Sequence, residues 1–154
     1  MELAYAIPAD AAEIGSSGKI SLLGGDFENI FVAGFPAVHT RFDLVAKLIV
    51  LPSECDRTHR FLAVMHDPDG DVRTPEVATS FTPTKVPGAQ DRSVKFFVVL
   101  TFPVVLFLRE GEHRLRLFVD DKEVGSVPLR VIEQKSSKSP AFQHQADSNL
   151  ANGQ

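Results

Sequence analysis

The chain predicts an all-β fold, an antiparallel β-sandwich of immunoglobulin-like type with about eight or nine strands. Three observations carry this. Short apolar stretches rich in β-branched and aromatic residues recur along the sequence. Turn-forming clusters of Gly, Pro, Asp and Ser separate them. No stretch shows convincing 3.6-residue periodicity, so helices are not expected.

The N-terminal stretch alternates loosely through Leu3, Tyr5 and Ile7, with Pro8 as a break that implies an edge position or a bulge. Gly15-Ser16-Ser17-Gly18 then makes a turn into a second strand, Lys19–Gly25, giving an N-terminal hairpin. Period-2 alternation resumes at 27–32, with Ile30 and Val32 facing opposite to Phe27, Asn29 and Phe31. Ala33–Thr40 reads as a loop that carries His39.

Residues 42–51 form a strand with Leu44, Ala46, Leu48 and Val50 on one face and a half-polar set, Asp43, Val45, Lys47, Ile49 and Leu51, on the other. His59–His66 is another strand, closed by the turn Asp67-Pro68-Asp69-Gly70, in which Pro presets φ and Gly takes the left-handed position. Short extended pieces follow near Val72 and over Val77–Phe81, then a Pro- and Gly-containing loop, Thr82–Asp91. Arg92–Leu108 is the longest apolar run and is expected to be a central strand, broken and turned at Pro103.

His113–Asp120 and Val124–Ile132 pair as a closing hairpin. A two-residue loop at Asp121-Lys122 would set Leu115, Leu117 and Val119 against Pro128, Ser126 and Val124, whereas the apolar set of the last strand is Val127, Leu129 and Val131. A one-residue slip reconciles them, so an extra residue is expected, as a longer loop or as a bulge at Gly125-Ser126. Pro128 marks this strand as an edge. Residues 1–132 therefore form one β-sandwich domain. The tail, 133–154, has few large apolar residues and is expected to be disordered.

Bulk properties narrow the function. The net charge is −4, with no general basic field to hold a polyanion, so neither nucleic acid nor an anionic membrane is an expected partner. Lone Cys55 excludes an internal disulfide, and the N-terminus has no secretory pattern, which together predict a cytoplasmic protein. No phosphate loop, nucleophile elbow, zinc-protease helix or paired cysteine motif occurs, and no cofactor is expected. The acidic neighbours of Cys55 oppose a reactive thiolate. The chain thus reads as a non-enzyme.

The closing hairpin, with FVD, an acidic turn and VPLRV, resembles the last two strands of immunoglobulin-like sandwiches. Ala9–Val32, Phe35–Val45, Leu51–Cys55, His66–Gly70 and Phe118–Val131 resemble a family of uncharacterised bacterial proteins, a domain of unknown function, over residues 1–132. That resemblance implies a compact β-sandwich and brings no activity or ligand with it. Where the family has Asp-Gly in the last turn, this chain reads Asp121-Lys122, which weakens a type I′ assignment there.

Two candidate sites remain. Asp67, Asp69 and Asp71 alternate as loop ligands for Ca²⁺ would, although the glycine is misplaced for an EF-hand and Ala78 stands where its bidentate Glu belongs. Turn chemistry accounts for each of these residues without a metal, and His39 is the one histidine worth watching beside them. The second candidate is surplus apolar surface: Phe97 and Val99, with Val45 and Ile49, lie on faces opposite the expected core. Either the N-terminal segment, the 82–92 loop or a second subunit must cover them. The leading expectation is a protein–protein interaction or structural module, homodimerisation included; a loop-borne metal or small-ligand domain is the alternative.

Overall fold

A computed structural model describes residues 1–72 and 76–135. Ten strands follow one another: β1 (Glu2–Ala9), β2 (Ala11–Ile14), β3 (Ile20–Leu23), β4 (Asn29–Val32), β5 (Ala37–Val50), β6 (His59–His66), β7 (Val77–Phe81), β8 (Val94–Phe107), β9 (Gly111–Val119) and β10 (Lys122–Glu133). One 3₁₀ turn, Pro52–Glu54, joins β5 to β6. The expected N-terminal hairpin is β2–β3, and Pro8 lies in β1, an edge strand, as a residue without an amide hydrogen requires.

The strands form a three-stranded sheet, β1-β5-β8, a five-stranded sheet, β4-β10-β9-β6-β7, curled as a half-barrel, and the separate β2–β3 hairpin. Every pairing is antiparallel except β4 with β10, which is parallel. The core lies between the two larger sheets. Phe42, Leu44, Ala46 and Leu48 of β5 and Val98, Leu100 and Phe102 of β8 meet Phe61 and Met65 of β6, Leu115 and Leu117 of β9, and Leu129 of β10. Phe42 and Phe102 stack at 4.7 Å between centroids. Each large side chain so buried contributes about 1.5–3 kcal/mol.

Three expectations are corrected. The apolar run of β8 is not central: β5 occupies the middle of its sheet and β8 the margin. Burial alone does not identify a central strand, because β8 fills the core with one face while its far edge has no partner strand among the described residues. Nor does Pro103 break the strand, since β8 continues to Phe107 in unshifted register with β5. What changes there is the buried face. On the side of Arg41 and Pro103 where 42–50 pair with 94–102, the even-numbered residues point inward; on the other side Ala37, Val105 and Phe107 are buried, and Val38, Val104 and Leu106 point out. Ladder pairing with 104–107 also extends β5 back to Ala37, so His39 is a strand residue rather than part of a loop.

The closing hairpin contains the extra residue the apolar pattern required. The register shifts between Glu123 and Gly125, after which Val127 opposes Leu115 and Leu129 opposes His113. The turn itself is Asp120-Asp121, one residue earlier than expected, with φ of 47° and 65°. Two successive left-handed residues are the mark of a type I′ turn, formed here by Asp120-Asp121 without the glycine whose absence from Asp121-Lys122 weakened that assignment. β10 is not the edge strand that Pro128 implied, since it lies between β4 and β9, but β4 pairs only from Arg130 onward, so Pro128 has a ladder partner, Arg114, on the β9 side alone. The ladder runs to Glu133 and Gln134 N–H donates to Val32 O at 2.8 Å, while 136–154, most of the expected tail, lie outside the described residues.

Candidate functional site

The face expected to seek a partner is covered in large part by the chain itself. In register across the outer side of the three-stranded sheet lie Ile7, Val45 and Val99, then Tyr5, Lys47 and Phe97. The β2–β3 hairpin packs across β5 and β8 on this side. Asp43 pins it there: its carboxylate, sealed from solvent, accepts from Ala12 N–H at 2.8 Å and from Arg41 at 3.2 Å. Burial pushes the Asp43 pKa up, but hydrogen bonds from Thr101, Ala12 and Arg41 together hold it below the usual carboxylate value. Val45, between Ile7 and Val99 and next along this face from Asp43, is fully buried and offers nothing to a partner. Phe97, Val99 and Ile49 are half-buried, and the Lys47 ammonium lies 5.2 Å from the Phe97 ring and 5.5 Å from the Tyr5 ring. Internal cover by the N-terminal segment therefore accounts for the Val45 end of this face.

Asp67, Asp69 and Asp71 are brought together as a turn. Asp67 is buried, and its Oδ1 accepts from the amides of Asp69 at 3.0 Å and Asp71 at 2.9 Å. Its other oxygen faces Arg109 at 3.7 Å, and Arg109 also pairs with Asp69. A guanidinium thus stands where a cation would, and no group of three His, Cys, Asp or Glu suited to a metal occurs among the described residues. Asp120 cannot complete a shared site, since it bonds to His59 and Arg60 at the opposite end of β6 from His66.

That opposite end is a structural staple. Buried His59 places Nδ1 2.6 Å from Asp120 and Nε2 2.7 Å from the Glu54 carbonyl. Asp120 also accepts from Arg60 N–H at 3.0 Å, which ties the last turn to β6. Cys55 is buried beside it, with Sγ 3.5 Å from Leu51 O, consistent with a plain boundary thiol.

A cleft of about 520 Å³ opens between the chain returning from β3, strand β4 and the start of β5. Phe27, Ile30 and Phe31 supply its apolar wall, and Asp10 and His39 its titratable groups. Gly24 makes the Asp10 position possible: it has φ +57°, and a Cβ there would lie 2.1 Å from Asp10 Oδ2. His39 tilts against Phe42 at 5.9 Å, and its buried Nε2 has no hydrogen-bond partner among the described residues. Burial lowers the His39 pKa, opposed by the Asp10 charge, so the ring is neutral near pH 7. Sequence reading singled out His39 but missed Asp10 and Phe31. The one available signal was Gly24-Gly25, where backbone must pass close to another group.

The class this defines is an all-β domain of two packed sheets with a hairpin laid across one of them. The chain belongs to a family of unknown function, DUF6941, whose profile matches residues 4–132. No curated protein matches it. Among solved structures it is similar to the Pseudomonas fluorescens alkylpurine DNA glycosylase AlkC bound to DNA containing an abasic site analog, at 11% identity and a TM-score of 0.36. That likeness covers 68% of this chain and 27% of the glycosylase chain.

Proposed function

We propose that the chain is a non-enzymatic, immunoglobulin-like interaction module that pairs with a second copy of itself. The strand order supports the immunoglobulin-like reading. With β1, β5 and β8 as strands A, B and E, the other sheet has β10, β9, β6 and β7 in the order G, F, C, C′.

The observation that carries the interaction reading is the outward row at the end of the β5–β8 ribbon. Val38, Val104 and Leu106 are 63%, 55% and 42% exposed and adjacent by register, with Val38 opposite Leu106. They lie beside the edge of β8 that pairs with no strand among the described residues. A long apolar edge of this kind is a template for strand pairing unless something blunts it. An uncharged row can face its own copy across a two-fold axis without like-charge repulsion, which favours a second copy as the occupant. This moves the interface from Val45 and its neighbours to the far end of the same ribbon.

Sedimentation of the full chain tests it. A dimer is expected at micromolar concentration, with Val104→Glu and Leu106→Glu each shifting it to monomer while the fold is kept. A monomer throughout that range, or a dimer indifferent to both substitutions, overturns the reading.

A further inference from the structure

The geometry points to the cleft bounded by Asp10, Phe31 and His39 as a binding site for a small organic ammonium ion carried on an apolar body. Its volume, about 520 Å³, lies within the range of small-ligand pockets, which combine an apolar wall with a few convergent polar groups. Here those are one carboxylate, one imidazole and the side chain of Asn29. No lysine or arginine among the described residues lines the cleft, so an anionic ligand finds no counter-charge there while Asp10 repels it.

A cation finds two complementary features. Asp10 supplies the opposite charge, and among the described residues no ion pair ties its carboxylate to a lysine or arginine. Phe31 is 59% exposed at the rim, an aromatic face of the kind that attracts ammonium groups while Phe27 and Ile30 receive the apolar body. The unpartnered His39 nitrogen adds a hydrogen-bonding atom in the wall, and a buried polar atom left unpaired favours whatever rearrangement gives it a partner. Asp10 and His39 alone are too few for a zinc or calcium site, which takes four or more ligands. The site shares no residue with the exposed row of Val38, Val104 and Leu106, so it stands or falls apart from self-association.

The test is a ¹H–¹⁵N NMR titration of the full chain with 2-phenylethylammonium, beside 2-phenylethanol and phenylacetate as neutral and anionic bodies of like shape. Saturable shifts are expected at 10, 24, 25, 29–31 and 39, with affinity at least about tenfold above that of the alcohol and no saturable response to phenylacetate. Asp10→Asn is expected to erase about tenfold of that affinity, and its side chain is exposed, so the fold should be kept. Phe31→Ala, also a surface change, is expected to weaken the ammonium several-fold and serves if Asp10→Asn misfolds. Equal affinity for the three bodies, shifts centred elsewhere, or full binding by Phe31→Ala overturns the assignment.

Discussion

Asp43 shows how a single carboxylate decides which face of a sheet is available. On sequence it belongs to a half-polar row, and alternation alone places it in water. The structure buries it under the β2–β3 hairpin, where Ala12 N–H, Arg41 and Thr101 all bond to it. Its pKa is held below the ordinary carboxylate value, so its contribution to stability is complete above that value and is lost as pH falls through the folded-state pKa. Asp120, also held low because hydrogen bonds from Arg60 and His59 outweigh burial, has the same sign. The wild type is therefore expected to lose stability below about pH 4. Asp43→Asn, which keeps the shape but not the charge, should cost about 2 kcal/mol at pH 7 and flatten part of this acid limb. Urea unfolding between neutral and acidic pH reads both, and an unchanged limb would remove Asp43 as the hairpin's anchor. Nothing local in the sequence marks this role, because Ala12 is 31 residues away and bonds through its backbone.

At the level of elements, the closing hairpin was the most legible part of the chain. The misfit between Leu115-Leu117-Val119 and Val127-Leu129-Val131 required one extra residue, and the register shift between Glu123 and Gly125 supplies it. The turn position was misjudged because Asp120 looks like the last strand residue; its left-handed φ and its bonds to His59 and Arg60 make it the first turn residue instead. The start of β9 depends on a glycine of another kind. Gly111 has φ +131°, and a Cβ there would meet the Pro68 ring at 2.9 Å. Both the backbone and a rigid neighbour resist a side chain, and the cost passes to the Asp67 turn packed against it. Gly111→Ala is expected to destabilise by about 1–3 kcal/mol. Thermal melts would show it, and hydrogen exchange should place the loosened amides at Asp69 and Asp71. A neutral substitution would mean that β9 and the turn are not coupled through this contact.

Over the whole molecule, strand positions were readable because period-2 burial is local, while the neighbours of each strand were not. Apolar content made β8 look central, yet it sits at a margin whose inner face is buried from Val98 to Phe102 and only partly so at Val94 and Phe96. The same limit applied to Val45: the pattern showed surplus apolar surface, and only the fold shows that β1 and β8 flank it while the β2–β3 hairpin packs, through β2, against β5 and β8. The hairpin has little hold of its own, since an isolated two-stranded ribbon is marginal in water and this one leaves Leu23 69% exposed. It is therefore a cover held by Asp43 and by packing, not a free-standing element. Replacing residues 11–23 by a short Gly-Ser linker is expected to bare Val45 and Val99, raise binding of a hydrophobic dye, and add association that Val104→Glu does not suppress. If dye binding and assembly stayed as in the wild type, Val45 would owe its burial to β1 and β8 alone, and the hairpin would serve only to bring Gly24 back beside Asp10 at the mouth of the cleft.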